Sequence, residues 1–399
     1  MSSSVHELRG RIGAVDEAIE QQKEILRDLV RQRSSIQTEL NSLLDPMARL
    51  PPELSSDILL QSMPATRTWQ SLIKLLCVCR AWHDLALATP SLWGTITDKD
   101  IPEGKFAKVL KMCLARAGGL PISLILREGE NTFHRILQTL GAHIPRIQHM
   151  ELSPLHNDSL ERMTYPFDGL NSLNISRSDI ISKLFVELLR RAPNLVRLDI
   201  YDVRFNTAST PRHLTHLTLQ RLHFGRPGDW YNSEISILRF LTLPALQSLV
   251  ISRREITEAD LLDFLTRSAP PLRHLNLRLR AEDPHSQGIA ACLQLIPGLT
   301  HLEITMFADS THSSFDLWAM DPNVLPALQS LTISEFYQHV SEGYARVLDF
   351  LAKRHSSLRS LRLVVTGTQV LDDTVAAALR VFRDEGMSFY VGTRETTFL

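Results

Sequence analysis

Cysteine is scarce in this sequence: 4 residues of 399, at positions 77, 79, 113 and 292. So few, so spaced, do not make a disulfide framework, and they point to a reducing compartment. Net charge is also small, −1 at neutral pH. No bulk attraction to nucleic acid or to an anionic membrane is expected. No run reaches 18 apolar residues, the signature of a transmembrane helix. The opening MSSSVHELRG has no apolar signal core. The expectation is a soluble protein of cytoplasm or nucleus.

Catalytic signatures are missing too. Gly104-Lys105 lacks the upstream glycine and the following Ser or Thr of a phosphate loop. There is no His-Glu-x-x-His and no Gly-x-Ser-x-Gly. Cys77 and Cys79 on one helix would point to different faces, and no Cys/His pair follows to complete a zinc site. They are expected as buried helical cysteines. His213 and His216 flank Leu214 in a strand-like run, where residues three apart face opposite ways. No enzyme, metal or cofactor is therefore expected.

What is present is pattern. Apolar residues make up 44% and charged residues 22%, enough for two or three domains. Residues 5 to 43 carry heptads. Val5, Ile12, Ile19, Leu26, Arg33 and Leu40 occupy one core position; Leu8, Val15, Gln22, Leu29, Ile36 and Leu43 occupy the other. That predicts a coiled coil and a homo-oligomer through residues 5–43, or a long helix packed back on its own chain. Gly10 and Gly13 weaken its first turns. Gln22 and Arg33 are polar core positions of the kind that fix register.

Residues 50–93 form an apolar helical stretch. Pro51 and Pro52 suit a first turn, and Glu53 sits near the positive end of the dipole. Leu72, Leu75, Leu76, Cys79 and Trp82 repeat at helical spacing, which predicts one face. Leu50-Pro51-Pro52-Glu53, Ile58 and Leu59, Val78-Cys79-Arg80-Ala81-Trp82 and Leu92-Trp93 occur in the order and spacing of an F-box. The stretch resembles that family, in the form found in F-box-like proteins of mushroom-forming fungi. The link Gln61 to Ser71 is longer than usual for it. The resemblance implies docking on a Skp-type adaptor within a cullin-RING ubiquitin ligase. Leu50, Pro51, Leu54, Ile58, Leu59, Val78, Cys79 and Trp82 would build the adaptor-binding module.

Beyond Trp93 short runs recur, with two apolar residues three apart and a third two further on. They are Ile147/Met150/Leu152, Leu170/Leu173/Ile175, Leu195/Leu198/Ile200, Leu214/Leu217/Leu219 and Leu246/Leu249/Ile251. Leu272/Leu275/Leu277, Leu299/Leu302/Ile304, Leu328/Leu331/Ile333 and Leu358/Leu361/Leu363 follow. Helical stretches lie between most of them, and residues 121–126 read as a leading strand. Strand plus helix every 20 to 30 residues resembles irregular leucine-rich repeats. The usual Asn or Cys after the third apolar position is missing: Val203, Leu222, Arg254 and Arg280 stand there.

The predicted fold is an α/β solenoid of irregular leucine-rich repeats, a parallel sheet plus helices. It follows a small all-α F-box-like module and an N-terminal coiled-coil helix. The expected boundaries are 1–45, 46–97 and 98–399.

Alternate strand residues form a polar face suited to binding protein. Target-binding candidates on that face and its rim are Arg197, Tyr201, His216, Arg253, Arg254, His274, Arg278, Arg280 and His301. The order F-box then repeats resembles a substrate receptor of an SCF-type ligase that holds an unknown protein target. A non-catalytic scaffold with no ubiquitin role is the alternative.

Overall fold

The structure is a computed structural model. It describes residues 2–64, 67–99, 101, 104–127, 136–206, 210–225, 237–252, 257–280, 287–307, 323–336, 340–354, 357–365 and 373–393. Its contacts divide the chain into two compact units, Met1–Leu120 and Pro121–Leu399.

In the first unit, helix α1 spans Ser2–Leu44 without a break. Ion pairs one turn apart support it: Lys23–Glu20 at 2.7 Å, Arg27–Glu24 at 2.6 Å and Arg31–Asp28 at 3.0 Å. Such exposed pairs each contribute only a few tenths of a kcal/mol. Asp45 ends the helix. Its carboxylate accepts from the Met47 amide at 2.9 Å, and Pro46 opens a short 3₁₀ turn to Arg49.

Helix α2 is Pro52–Ser62. Thr68 and Ser71 then cap each other reciprocally and start α3, Trp69–Leu76. Helix α4 is Arg80–Ala88. The single helical face expected from Leu72 to Trp82 is therefore two helices. Cys79 is extended, with φ −158°, and serves as the residue before α4. Its thiol donates to Asp45 Oδ2 at 3.6 Å. The helical period survives the break because α3 and α4 each turn an apolar side inward, with Leu72 and Ala86 buried. Nor are the cysteines buried and helical as expected. Cys77 is exposed at the end of α3, and Cys79 is half-buried. Trp93 fills this core, 1% exposed, with its indole N–H donating to the Ala86 carbonyl at 2.9 Å. The Arg116 guanidinium lies 4.8 Å from its ring centre. Strand β1 (Thr95–Thr97) and helix α5 (Phe106–Arg116) complete the unit.

The second unit is built on a parallel sheet. Its strands are β2 (Ile122–Leu126), β3 (Ile147–Leu152), β4 (Ser172–Ile181), β5 (Arg197–Asn206), β7 (Arg221–Gly225) and β9 (Ser248–Ser252). They continue with β10 (His274–Arg280), β11 (His301–Phe307), β12 (Ser330–Phe336), β13 (Ser360–Val365) and β14 (Ser388–Gly392). They lie side by side in that order. Strands β6 (Leu214–Thr215) and β8 (Leu241–Thr242) pair separately. Parallel neighbours need long crossovers. Helices Ser182–Arg190, Glu258–Ser268, Gln287–Gln294, Val340–Arg354 and Asp373–Asp384 lie in five of them. Short helices over 136–140 and Asn157–Arg162 occupy two others.

Register explains the leucine pattern. Leu173, Leu198, Leu222, Leu249, Leu275, Leu302, Leu331 and Leu361 pair across successive strands and are at most 3% exposed. The first leucine of each run, such as Leu195, Leu246 or Leu299, is buried just ahead of its strand. Ahead of β4, β5, β7, β9, β10, β11 and β12, one carbonyl accepts two consecutive amides from the next repeat. Asn171 O takes Val196 N (2.9 Å) and Arg197 N (3.0 Å), and Val196 O takes Gln220 N and Arg221 N. Gln220 O takes Gln247 N and Ser248 N, and the pattern repeats through Gln247, Arg273, Thr300 and Gln329. These backbone forks hold neighbouring strands together where no asparagine side chain does.

One repeat is not where the sequence put it. Leu214/Leu217/Leu219 was expected in the sheet, but Leu217 is 70% exposed. The strand in the sheet uses Leu219, Leu222 and Phe224 instead, all buried. Both triplets have the same spacing within one run of residues, LTHLTLQRLHF. The second restores starts 24 and 27 residues from the neighbouring Leu195 and Leu246.

Candidate functional site

Two surfaces stand out, one in each unit. The first is the side of the parallel sheet that carries the alternate residues. In register across it run Glu151, Asn174, Asp199, His223, Val250, Asn276, Glu303, Thr332, Arg362 and Tyr390. A flanking row runs His149, Ser172, Arg197, Arg221, Ser248, His274, His301, Ser330 and Ser360.

Asp199 is the centre of this face and is only 7% exposed. Its Oδ2 accepts from Arg197 Nε at 2.6 Å, and its Oδ1 lies 3.7 Å from His223 Nδ1. Tyr201 Oη and His223 Nδ1 are 3.0 Å apart, with the rings edge to face. Hydrogen bonding to Asp199 pushes the Arg197 guanidinium further toward its charged form. Burial pushes His223 below the ordinary imidazole value of 6.5; Asp199 opposes this, and Arg278 and Arg197 add to it. Burial raises the Tyr201 phenol. Gly225 makes the arrangement fit, since a Cβ there would lie 2.4 Å from the Tyr201 ring. Buried Asn174 Oδ1, Asn276 Oδ1 and His223 Nε2 have no hydrogen-bond partner among the described residues. Further along, Arg362 lies 4.1 Å over the Tyr390 ring.

Arg197 and Tyr201 share β5, whereas Arg278 lies on β10 with β7 and β9 between, so that only its charge reaches Tyr201 and His223. His274 stacks on His301. His216 is not on this face. It is 3% exposed, and its Nε2 meets the Ala192 carbonyl at 3.0 Å, because its run lies outside the sheet. Arg253 and Arg254 lie outside the described residues, as does the side chain of Arg280. Arg221 and His223 were not among the expected residues. The regular repeat spacing that selects Leu219/Leu222/Phe224 is the signal that finds them.

The second surface belongs to the helices over 50–82. Leu50, Leu54 and Ile58 are four residues apart and are 38%, 52% and 43% exposed. Val78 is 56% exposed, and Pro51 is exposed. Trp82 and Cys79 are half-buried. Leu59 was expected with them but is fully buried and belongs to the core. Ile73 on α3 is a further exposed apolar residue of this module, at 37%. Apolar side chains left in water at such spacing make this face a candidate docking surface.

Among the described residues, no group of His, Cys, Asp and Glu could hold a metal ion. No described helix is long and apolar enough to cross a membrane. A comparison with curated proteins found no match. A family profile described as F-box-like matches residues 47–99. That segment covers α2, α3, α4 and Trp93 and contains the exposed apolar set. An F-box-like domain suggests an adaptor-binding role in a ubiquitin ligase, and proteins with such domains are typically non-catalytic. The match at residues 47–99 supports an F-box protein.

Proposed function

We propose that this protein is a substrate-recognition subunit of an SCF-type cullin-RING ubiquitin ligase. The F-box-like module docks on a Skp-type adaptor through Leu50, Pro51, Leu54, Ile58 and Val78. Residues 98–399 form an irregular leucine-rich repeat solenoid whose polar face holds the target protein. The protein carries out no bond chemistry; it raises the effective concentration of target near a ubiquitin-loaded enzyme.

The observation that carries this reading is the exposed apolar set inside the segment that matches the F-box-like family. A monomer leaves such a set in water only at a cost that a partner removes, about 25 cal/mol per Å² of apolar surface covered. On the target side, Arg221 lies on β7 and Arg278 on β10, two strands along with β9 between them, and Arg273 stands just ahead of β10. They favour an acidic or phosphorylated segment.

The test is capture of a Skp-type adaptor by wild type and by Leu54→Asp, Ile58→Asp. Wild type is expected to retain the adaptor. The double variant is expected to lose it while keeping its helical circular dichroism. Wild type that retains no adaptor overturns the ligase role and leaves the scaffold.

A further inference from the structure

The long helix α1 presents an apolar stripe that nothing among the described residues covers. Leu8, Ile12, Val15, Ile19, Leu26, Leu29, Ile36, Leu40 and Leu43 are between 45% and 66% exposed, and Ile25 and Val30 widen the stripe. This independent surface lies outside the residues proposed to bind adaptor or target. We infer that its occupant is a second copy of the same helix, paired antiparallel with Leu26 facing Leu29 of the other copy.

Area is the first argument. Burying a Leu or Ile side chain fully removes roughly 60–120 Å² from water, from its transfer free energy and the area coefficient. With about half of each stripe residue still exposed, two copies cover on the order of 1,000 Å², where specific interfaces begin.

Register is the second argument, and it fixes orientation. The stripe is apolar except at Gln22 and Arg33. In a parallel pair each residue meets its own copy. Arg33 then faces Arg33, and Gln22 faces Gln22. Like charges in a seam repel, and the low dielectric there magnifies the effect. In the antiparallel pair, Gln22 of one copy faces Arg33 of the other, twice. The guanidinium donates to the amide oxygen, so both polar positions are satisfied. Every other layer is then apolar on both sides: Ile12 with Leu43, Val15 with Leu40, Ile19 with Ile36, and Leu26 with Leu29. Sliding by one heptad places Arg33 against Val15 or Leu29, which leaves it unpaired. The parallel arrangement offers one compensation, Arg11 beside Asp16 of the other copy. That is a solvent-exposed rim pair, the weakest class of ion pair. A single polar core position is enough to set register in a coiled coil; here two set it jointly.

The pairing also sets a distance. At 1.5 Å rise per residue, antiparallel overlap places the two Leu44 ends about 50 Å apart. A parallel pair would put them side by side.

Gln22→Glu in the full-length chain separates the arrangements, with dimer dissociation followed by sedimentation. Antiparallel pairing sets each new carboxylate against Arg33, so the dissociation constant is expected to fall at least fivefold at low salt, with the gain shrinking at high salt. A weaker Gln22→Glu dimer overturns the orientation, because only parallel copies bring the two carboxylates together. Leu26→Asp, Leu29→Asp is expected to be monomeric with its second unit still folded. A monomeric wild type at tens of micromolar overturns the pairing altogether. Adaptor capture is unaffected by either result, so this inference and the ligase reading fail separately.

Discussion

The imidazole of His274 stacks on that of His301, ring centres 4.3 Å apart and planes inclined by 20°. The two residues are register partners on neighbouring strands. Burial pushes His274 below 6.5, and His301, Arg221 and Arg273 push it the same way.

Acid is therefore expected to weaken the second unit. Burial comes first among the causes that also lower His149, His216 and His223. A lowered imidazole binds its proton less readily folded than unfolded. The unfolded chain takes up more protons as pH falls below 6.5, so stability is intact above that value and declines beneath it. Urea unfolding of wild type at pH 7.5 and at pH 5.5, where most carboxylates stay ionised, is expected to show a lower midpoint at the acid end. His216→Gln is expected to narrow the gap, and an unchanged midpoint in wild type contradicts the assignment.

Trp93→Ala is expected to cost about 3–5 kcal/mol in the first unit, the usual range for emptying an aromatic site. Trp93→Phe keeps most of the volume but loses the N–H bond to Ala86 O. Its cost is expected near 1 kcal/mol. Thermal unfolding of the two variants should rank them in that order.

Gly225→Ala tests the cluster at Asp199. The new methyl would press on the Tyr201 ring at 2.4 Å and lie 3.2 Å from His223 Nε2. The expected cost is about 1–3 kcal/mol of overpacking, with loss of the Tyr201–His223 contact. Target binding should fall with it, while adaptor capture is unchanged. A variant as stable as wild type would mean that Tyr201 yields freely.

Arg354 is 3% exposed at the end of helix Val340–Arg354. It donates to the carbonyls of Val324 and Leu325 ahead of β12. Arg354→Met keeps the apolar stem and removes those donors. A loss of roughly 1.5–3 kcal/mol is expected, read as a lower denaturation midpoint. No loss would mean that burying the charge costs as much as its bonds return.

Much of the sheet was legible because burial on one side forces a fixed spacing. Leu299/Leu302/Ile304 has one reading, since no other apolar triplet of that spacing overlaps it. Leu214 to Phe224 has two, and periodicity alone cannot choose between them. The helical module shows the converse limit. Leu72 to Trp82 keeps one period through a break, because two helices packed on one core preserve the phase of a single helix. What separates α3 from α4 is an extended Cys79, whose thiol meets Asp45, 34 residues away. The heptads of α1 were plain in the sequence. The polar face was legible as a parity, but its grouping was not, since Asp199 and Tyr201 meet His223 only through strand order.

The forked carbonyls ahead of the strands from β4 to β12 in the large sheet have a further consequence. Register is held by main-chain atoms that every residue possesses, and by leucines on the hidden side. Side chains on the open side contribute little to it. Those positions form an array whose members can be exchanged one by one while the backbone beneath keeps its alignment. The polar face can thus change its chemistry by single substitutions, without the fold having to be rebuilt.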